Sequence, residues 1–590
     1  MNFKIYVKEN LQMKLAHLFK QQVASMLQPV TLMTEEELIQ MLEVPPTIDR
    51  GDLAFPCYTF AKTWRRSPDQ IATEIITAIE QPLADAHIQA QAVGAYINLT
   101  WDRAYYGTEI LSSLEEQQNT ELQIGTGKRI VIDMSSPNIA KPFGVGHLRS
   151  TIIGAALHRI YQAVGYEAIR VNHLGDWGTQ FGKLITAYLR WGDPEQLKLN
   201  PIGESLRVYI QFHEEVEQNP RLDDEARDWF RKLEQGDAQA VELWHYFVDV
   251  SMQSLQKMYQ RLGVEFDAVL GESFYNDKMP AVIAQLQRQQ LLVESDGAQV
   301  VRLDEQELPP CLILKSDGTT IYPTRDLATA IYRKEIMGAD QLIYVVGGEQ
   351  TLHFKQVFEV LRKMGHSWAT DCIHVPFGLM KVDGKKMSTR KGKVVFLEEV
   401  LDQAVERATQ IIAEKSPDLP NKEQVAEQIG IGAIIFGDLK NNRQNEIDFS
   451  LKDAVTFEGE TGPYLQYTYA RIQSILRKVQ TMNNSHHNQT TIELETNTTN
   501  REWSHVSWAL LIHLSRYTYE LERAATQHEP SIIARYTLET AKLFNQFYNK
   551  DRIVDAPLSV KAQRISLTMQ TGLYLKRLMT LLGLQTPEQM

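Results

Sequence analysis

The sequence predicts an α/β protein in which a parallel sheet is followed by a long all-α region. A short apolar, β-branched run at Arg129–Met134 precedes a glycine-containing loop, a helical pattern over Leu148–Tyr161 and a second apolar run at Ala168–Val171. Strand, helix and strand in this order are typical of a parallel sheet. Strand-like runs recur up to Phe377, and after about residue 400 long helical patterns dominate.

Length and composition indicate several globular domains. The 590 residues are 43% hydrophobic and 23% charged, which excludes wholesale disorder and fibrous proteins. At roughly 100–200 residues per domain, this length predicts about three to five domains. We predict an α+β domain over 1–122, an α/β domain over 123–452 with a helical insertion at about 190–300, and a helical domain over 453–590.

The other elements follow from periodicity and turn residues. The first domain opens with helical periodicity over Leu11–Leu42 and contains a strand-like run at Ala95–Leu99. Further strands of the α/β domain are expected at Leu312–Lys315, Leu342–Val346 and Ile373–Phe377. The Asn- and Thr-rich stretch Thr481–Asn500 predicts a flexible loop between C-terminal helices.

Several classes of protein are excluded. The widely spaced Cys57, Cys311 and Cys372 form neither a disulfide framework nor a zinc cluster. The adjacent His486 and His487 lack acid or thiol ligands at metal-binding spacing, so no metal site is expected. No run approaches the ~20 apolar residues of a membrane-spanning helix, and the first residues do not form a signal segment. We expect a reduced, intracellular protein without a membrane anchor.

One basic cluster stands out against a net charge of -13, which itself weakens the case for a nucleic-acid-binding protein. Lys381–Lys393 contains six lysines and arginines and one acid, Asp383. On charge alone, a solvated surface loop is the simpler interpretation. Its order, Lys386-Met-Ser-Thr389 with flanking glycines, instead suits a mobile loop that clamps a polyphosphate.

A second motif, Lys141-Pro-Phe-Gly-Val-Gly-His147, lies between the first predicted strand and helix. Gly144 and Gly146 allow close approach of the backbone to a nucleotide, and a helix N-terminus attracts phosphate. His147 at that end can donate to a phosphoryl oxygen. Taken alone, the motif is explained equally well by a tight turn with an N-capping role.

Together, the two motifs resemble the H-I-G-H and K-M-S-K-S signatures of class I aminoacyl-tRNA synthetases, about 240 residues apart. Further stretches resemble arginyl-tRNA synthetases and follow that family's order. They are Ser135–Pro142, His147–Gly154, His173–Gly182, Tyr322–Asp326 and Gly459–Tyr467. The resemblance therefore extends over about residues 130–471.

This resemblance implies a Rossmann-type catalytic domain, an N-terminal domain that contacts tRNA and an all-α domain that binds the anticodon. It implies ATP-dependent attachment of L-arginine to tRNA(Arg) through arginyl-adenylate, with AMP and pyrophosphate as products. ATP with Mg²⁺ is then a substrate, and no tightly bound cofactor or covalent enzyme intermediate is implied. The expected protein is a monomer that acts in the cytoplasm.

The resemblance also implies the site residues. The expected catalytic residues are Lys386, His147 and Lys141. ATP is expected to bind at Gly144, Gly146, His147, His173, Gly175, Asp176, Gln180, Lys386, Met387 and Ser388. Arginine is expected at Asp133, Asn138, Glu272, Tyr322, Asp326 and Gln350. Contacts with tRNA are expected at Tyr464, Tyr467, Arg471, Tyr96 and Asn98.

The chemistry of these residues agrees with their expected roles, although alternatives remain. A guanidinium pairs with carboxylates, and Tyr322 and Asp326 share one helix face at a spacing of four. Asp326 can instead form an ion pair with Arg325 or near Arg333. His173 and Trp177 can be core residues, and the tyrosines near Arg471 can form a buried stripe of a bundle.

Gly144 departs from the family pattern because it replaces the first histidine of the H-I-G-H signature. Lys141, Lys386 or a backbone N–H is expected to compensate, and a histidine would be strained here if Gly144 has positive φ.

Two other functions are possible for a protein with these motifs. A small nucleotidyltransferase lacks the long helical C-terminal region, and an inactive tRNA-binding protein is suggested by Gly144 alone.

Overall fold

The computed structural model of the protein describes residues 15–45, 50–116, 122–139, 143–382, 385–386, 396–485 and 503–590. In chain order, these residues form an α+β part, a larger α/β part and a helical part. None of the described helices is both long enough and apolar enough to cross a membrane.

The α+β part contains a three-stranded antiparallel sheet of order β1-β3-β2. Ile97, Leu99 and Trp101 of its central strand are buried, and the alternate residues are half-exposed, so one face of the sheet belongs to the core. The predicted helical stretch Leu11–Leu42 contains two helices, the second of which begins at a capping box on Thr34. The strands are β1 (Leu53–Pro56), β2 (Ile88–Val93) and β3 (Tyr96–Trp101). The helices are α1 (Leu15–Thr31), α2 (Glu35–Met41), α3 (Ala61–Trp64), α4 (Pro68–Ala78), α5 (Glu80–Asp85) and α6 (Arg103–Glu116).

The α/β part is built on a parallel five-stranded sheet of order β11-β10-β4-β5-β6, which confirms the predicted fold class. Its strands and those of two smaller sheets are β4 (Arg129–Asp133), β5 (Glu167–Asn172), β6 (Ala268–Val269), β7 (Leu292–Ser295), β8 (Ala298–Val301), β9 (Cys311–Leu314), β10 (Gln341–Gly347), β11 (Cys372–Phe377), β12 (Met380–Val382), β13 (Lys385–Lys386) and β14 (Ile447–Phe449). Its helices are α7 (Val145–Ala163), α8 (Thr179–Trp191), α9 (Pro194–Leu199), α10 (Pro201–Gln218), α11 (Arg221–Glu234), α12 (Ala238–Leu262), α13 (Met279–Arg288), α14 (Tyr322–Glu335), α15 (Thr351–Lys363), α16 (Leu397–Lys415), α17 (Lys422–Leu439) and α18 (Leu451–Ala454).

The helical insertion is shorter than the predicted range of about 190–300. Helices α9 to α12 end at Leu262, and β6 then returns to the edge of the main sheet. Strands β7, β8 and β9 form a separate antiparallel sheet, so the predicted strand at Leu312–Lys315 lies outside the parallel sheet. The sheet β13-β12-β14 is a further addition, with a strand well beyond residue 400. Strands of two or three residues are too short to show periodicity in a sequence.

The C-terminal part is all-α, as predicted. Its helices are α19 (Gly462–Ser485), α20 (His505–Leu514), α21 (Tyr517–Gln527), α22 (Ser531–Lys550) and α23 (Leu558–Leu582). Because α19 continues to Ser485, the first residues of the predicted loop Thr481–Asn500 are helical. The rest of that loop, with His486 and His487, lies outside the described residues.

The first and last parts of the chain pack against each other. Asp52 Oδ1 accepts a hydrogen bond of 2.8 Å from Nε1 of the fully buried Trp508. Gly107 of α6 lies directly against the Trp503 ring, where an added Cβ would stand 2.1 Å from Nε1. The N-terminal part therefore rests on the helical part through contacts that admit no larger side chain at Gly107.

A buried ion pair joins the start of α7 to the end of α17. Arg149 and Asp438 are each 1% exposed, and Arg149 Nε lies 3.1 Å from both carboxylate oxygens. Arg149 Nη1 also donates to the carbonyl oxygens of Gly378 at 2.5 Å and Asn445 at 3.0 Å. One guanidinium thus holds α7, α17 and the chain segments that lead into β12 and β14.

We expect the substitution Asp438→Ala to lower the free energy of unfolding by about 3–5 kcal/mol, because it leaves the Arg149 charge buried without its partner. The double substitution Arg149→Met with Asp438→Leu should recover part of this loss, since it removes both buried charges but also the donor to the carbonyl oxygens of Gly378 and Asn445. Urea unfolding of the three proteins measures the difference.

The matched control is Asp224→Ala, which breaks the exposed pair that Asp224 forms with Arg227. This change should cost less than about 1 kcal/mol. Equal losses for Asp438→Ala and Asp224→Ala would contradict the central role of the buried pair.

Candidate active site

The loop after β4 ends at the N-terminus of α7, and it lies beside the chain that follows the basic loop. Gly144 pairs with Phe396 in an antiparallel bridge, and Leu397 N donates to Phe143 O at 3.1 Å. His147 stacks on Phe143, with ring centroids 5.4 Å apart and nearly parallel planes. The fold therefore brings the flanks of the two sequence motifs together, although they are about 240 residues apart.

Some residues of these motifs lie outside the described part of the chain. Among the expected site residues, these are Lys141, Met387 and Ser388. Lys386 is described only by its backbone, which pairs with Lys381 between β13 and β12.

The backbone at Gly144 differs from the expectation of positive φ. Its φ is -86° and its ψ is 165°, an extended conformation that any residue adopts, so the strain argument against a histidine is wrong. An added Cβ at Gly146 would meet nothing within 4 Å. The backbone angles at Gly144 therefore do not require glycine, and the space beside Gly146 is open.

The loop after β5 pairs with the loop after β4. Gly175 N donates to Pro137 O at 3.0 Å, and Ile139 N donates to Gly175 O at 3.1 Å. A side chain at position 175 would be too close to its neighbour, because a Cβ there would lie 2.3 Å from Asn138 Oδ1. Gln180 Nε2 donates to Gly175 O at 3.3 Å. These bonds fix the edge of the sheet where Asn138, which is exposed, faces outward.

Asp176 is buried and holds the next segment of the site. Its carboxylate accepts hydrogen bonds from Ser273 N at 2.8 Å and Ser273 Oγ at 2.6 Å. Gly271 packs against the same carboxylate, with room for no Cβ. Asp176 thereby positions the short 3₁₀ turn Glu272–Tyr275, including the expected arginine contact Glu272.

The two aromatic residues of this loop differ in their surroundings. Trp177 makes edge contacts with Phe230 and Trp244, which supports the core interpretation. His173 lies 5.5 Å from Tyr275, and burial lowers its pKa, so the ring is neutral at pH 7. Among the described residues, its buried Nδ1 has no hydrogen-bond partner.

Three carboxylates expected to bind arginine each have a partner within the chain. Asp133 accepts from Arg333 Nη1 at 2.7 Å, deep in the core. Glu272 accepts from Arg325 Nη1 at 3.1 Å.

The third carboxylate belongs to Asp326, whose Oδ2 lies 2.5 Å from His353 Nε2. The alternative partners considered for Asp326, Arg325 and Arg333, therefore bind the other two acids. The sequence analysis did not include His353 in the site. Its position three residues after Gln350 is the feature that could have indicated it.

The environment of the acids is partly dehydrated. Burial raises the pKa of Glu272 to about 7, although Arg325 acts in the opposite direction. Tyr322, at the start of α14, is 67% exposed, and its pKa is raised by burial of its hydroxyl and by Glu272. Gln350 is exposed at the N-terminus of α15. The described residues contain no group of three or more side chains able to hold a metal ion.

The expected anticodon residues form an exposed stack. The Arg471 guanidinium lies 4.9 Å from the ring centre of Tyr467 and 5.2 Å from that of Tyr548. Tyr467 and Tyr548 are about two-fifths exposed, so a fully buried tyrosine stripe is the wrong interpretation. Tyr464 is half-buried and accepts a hydrogen bond from Asn545. The sequence did not indicate Tyr548, because it lies on α22 and not on α19.

The residues expected to contact tRNA in the N-terminal part share one face of β3. Tyr96 and Asn98 alternate with buried residues and point away from the core. Tyr96 makes an edge contact of 5.7 Å with the exposed Tyr58. This face is polar and aromatic.

Comparison with known proteins covers nearly the whole chain. The model of the class I (R) tRNA synthetase catalytic domain matches residues 109–451. The arginyl tRNA synthetase N-terminal domain matches 13–101, and the DALR anticodon binding domain matches 465–590.

Individual relatives agree with these matches. An arginine–tRNA ligase of Exiguobacterium sibiricum is 49% identical over 575 residues, which cover 97% of this chain and 100% of that protein. One from Clostridium perfringens is 44% identical over 579 residues, with the same coverage. The structure of the Thermus thermophilus arginyl-tRNA synthetase matches with a TM-score of 0.76 and 24% identity. The match covers 98% of this chain and 100% of the Thermus chain, and it supports the fold. The chain belongs to the arginyl-tRNA synthetase family.

Proposed function

We propose that this class I arginyl-tRNA synthetase, which attaches L-arginine to tRNA with ATP, activates arginine between the carboxyl end of β4 and the start of α14. One observation supports this location above the others. Three carboxylates from separate segments lie close enough to interact, because Asp326 acts on the pKa of Glu272, and Asp326 and Asp133 both act on that of His173. Such a group of acids suits a guanidinium substrate, because a planar cation pairs with carboxylates.

In this proposal the arginine side chain binds Asp326, Glu272 and the hydroxyl of Tyr322. Asn138 and Gln350 are exposed at the same edge and can bind the amino-acid backbone of the substrate. Asp133 has an indirect role, since Arg333 occupies one of its oxygens and Ser136 Oγ donates to the other at 2.8 Å.

ATP is proposed to lie over the N-terminus of α7. Its phosphates would meet the first-turn N–H groups at Gly144 and Gly146, with His147 and the basic residues Lys141 and Lys386 as further donors. The base and ribose would lie near His173, Gly175 and Gln180, against Met387 and Ser388. Asp176 acts there by positioning, because its carboxylate is bound to Ser273. Magnesium arrives with ATP as part of the substrate.

The proposed reaction has two steps. An oxygen of the arginine carboxylate attacks the α-phosphorus of ATP, and the bond to the bridging oxygen breaks, which gives arginyl-adenylate and pyrophosphate. The 2′-hydroxyl of the terminal adenosine of tRNA then attacks the arginyl carbonyl, loses its proton and displaces AMP. Both steps depend on positioning and charge stabilisation, so no nucleophilic side chain is required.

The tRNA is proposed to contact both ends of the chain. Exposed aromatic rings next to a guanidinium provide a stacking surface for unpaired bases, which fits Tyr467, Arg471 and Tyr548. Tyr464 supports this stack through Asn545, which also bonds to Arg471. The outer face of β3, with Tyr96 and Asn98, would contact the tRNA body.

A cytoplasmic monomer is the proposed form of the protein. Cys57, Cys311 and Cys372 are buried free thiols, as suits a reducing compartment. The nucleotidyltransferase alternative does not account for the matched anticodon-binding domain, and the inactive alternative is tested by activity.

The substitution Lys386→Ala tests the proposed function. If this lysine stabilises the charge that develops on pyrophosphate, adenylate formation should slow by roughly 100-fold or more. Transfer from preformed arginyl-adenylate to tRNA should change much less, because pyrophosphate has already left. Single-turnover measurements of each step provide the comparison.

Lys381→Ala is the matched control, since Lys381 lies on the adjacent strand and is bonded to Glu446 at 2.9 Å. It should slow neither step more than about twofold. Equal damage to both steps in Lys386→Ala would show that the lysine binds tRNA. Absence of arginine-dependent charging by the unaltered protein would favour the inactive alternative.

The raised pKa of Glu272 predicts a pH dependence of stability. Folding raises this pKa from 4.5 to about 7, so the folded protein binds the proton more tightly than the unfolded chain. The contribution is complete below about pH 4.5 and is lost as pH rises through about 7, by ~3 kcal/mol in all. Relative to Glu272→Gln, the unaltered protein should therefore lose stability between pH 5 and pH 8. Urea unfolding at several pH values measures this, and parallel curves for the two proteins would contradict it.

Removing one ring of the exposed stack should weaken tRNA binding. Tyr548→Ala is expected to raise KM for tRNA by about tenfold, since stacking of one base contributes ~1–3 kcal/mol. The control is Tyr519→Ala, which removes another tyrosine close to an arginine in the same helical part, Arg523. Steady-state charging at saturating arginine and ATP distinguishes them, and equal effects would exclude a specific role of the Tyr467–Arg471–Tyr548 stack.

A further inference from the structure

The three carboxylates of the proposed arginine pocket have partners of two different kinds. Asp133 and Glu272 are bound by Arg333 and Arg325, whose guanidinium groups are always charged. Asp326 is bound by His353, and an imidazole can donate a hydrogen bond without carrying a charge. The first two acids are therefore paired with permanent cations within the chain, whereas the partner of Asp326 is not a permanent cation.

His353 binds one carboxylate oxygen of Asp326 and is not hydrogen-bonded to the other. His353 is the third residue of α15, and its Nε2 lies 2.5 Å from Asp326 Oδ2. Its ring makes an edge contact of 5.4 Å with Phe354, and Phe354 stacks in turn on His374 at 4.8 Å. Within the part of the chain that the structure describes, Oδ1 of Asp326 has no hydrogen-bond partner. This oxygen is available to a ligand.

The two side chains are also accessible. The His353 and Asp326 side chains are 21% and 24% exposed, in contrast to 1% and 8% for Arg333 and Asp133. Tyr322, one turn before Asp326 on α14, is more exposed still. The Asp326–His353 pair is thus the most exposed of the three pairs, since the Glu272 and Arg325 side chains are 14% and 11% exposed.

We propose that His353 is a positioning residue for arginine recognition, which holds Oδ2 of Asp326 through Nε2 without adding a permanent cation, so that Oδ1 can accept hydrogen bonds from the guanidinium. The inference deepens the proposed function and rests on Asp326 as the arginine-binding carboxylate. A lysine or arginine at position 353 would complete a third internal ion pair and leave the pocket without net negative charge. A neutral donor of similar reach would not.

This account predicts a difference between neutral and charged replacements. The variants are His353→Gln, a neutral donor, and His353→Lys and His353→Arg, two permanent cations. Arginine charging of tRNA is measured at pH 8, where imidazole is uncharged in water. Citrulline serves as a competitive inhibitor, because it has arginine's shape with a neutral urea in place of the guanidinium.

We expect His353→Gln to raise KM for arginine by less than about fivefold. Each of the two cationic variants should raise it by about 50-fold or more, with KM for ATP changed less than about threefold. The inhibition constant of citrulline should change little in all of them, so the preference for arginine over citrulline should fall only in the cationic variants. A purely structural role of His353 would not separate the charge of the ligand in this way.

The matched control is His366→Lys, the same change at a half-buried histidine just beyond the other end of α15. It should leave KM for arginine within about twofold of the unaltered protein. Equal KM values for the Gln, Lys and Arg variants at position 353 would overturn the proposal, as would a parallel loss of arginine and citrulline binding.

A separate substitution distinguishes this inference from the proposed function. Asp326→Asn should raise KM for arginine by at least about 30-fold if Asp326 binds the guanidinium. If KM for arginine is unchanged in Asp326→Asn, the proposed location of the arginine pocket is wrong. If this KM rises as expected but the cationic and neutral variants at position 353 behave alike, only the proposed role of His353 is wrong. Thermal unfolding of every variant identifies any that fails to fold, and either cationic variant alone suffices for the comparison.

Discussion

The geometry of the active site depends on the buried guanidinium of Arg149. This side chain belongs to the first turns of α7, the helix whose N-terminus faces the proposed phosphate site. Its donors bind Asp438 and the carbonyl oxygens of Gly378 and Asn445. Gly378 and Asn445 lie two residues before β12 and β14, so the sheet that contains Lys386 is attached to the same guanidinium. A buried ion pair is a weak source of stability, but here it joins the helix and the sheet that contain the two motifs proposed to act on one nucleotide.

A second arginine extends this frame to the helical part. Arg443 donates to Pro376 O, at the end of β11, and to His528 O, in the turn between α21 and α22. The ring of His528 is bonded to Tyr161 of α7 at 2.6 Å. The domain that contains the proposed anticodon stack therefore contacts both the main sheet and the helix of the phosphate site. The proposed tRNA-binding and ATP-binding regions are therefore connected by one continuous set of contacts.

The sequence predicted those parts of the molecule that have strong local patterns. The strands β4, β5, β10 and β11 appear as apolar runs of the right length, and the helix α7 appears as a helical pattern. The family resemblance supplied the expected site residues, whose roles stay predictions. The sequence pattern did not predict β6 or β12, because strands of two or three residues show no periodicity. It also missed the partners of the pocket acids, Arg333 and His353. Such pairs form between distant segments, and no local pattern records which cation faces which carboxylate.

Gly144 shows how a structure changes the question that a sequence raises. The missing histidine suggested a glycine held in a conformation closed to other residues, yet φ at Gly144 is -86°. The physical reason for a glycine must then lie in what surrounds the backbone. Gly144 is the N-cap of α7 and, among the described residues, no side chain caps this helix end. Uncapped N–H groups at a helix N-terminus bind phosphate, and a bare residue leaves them accessible. Because Arg149 fixes α7 two turns or less from this end, the helix N-terminus is itself a rigid donor that can stand in for the absent imidazole.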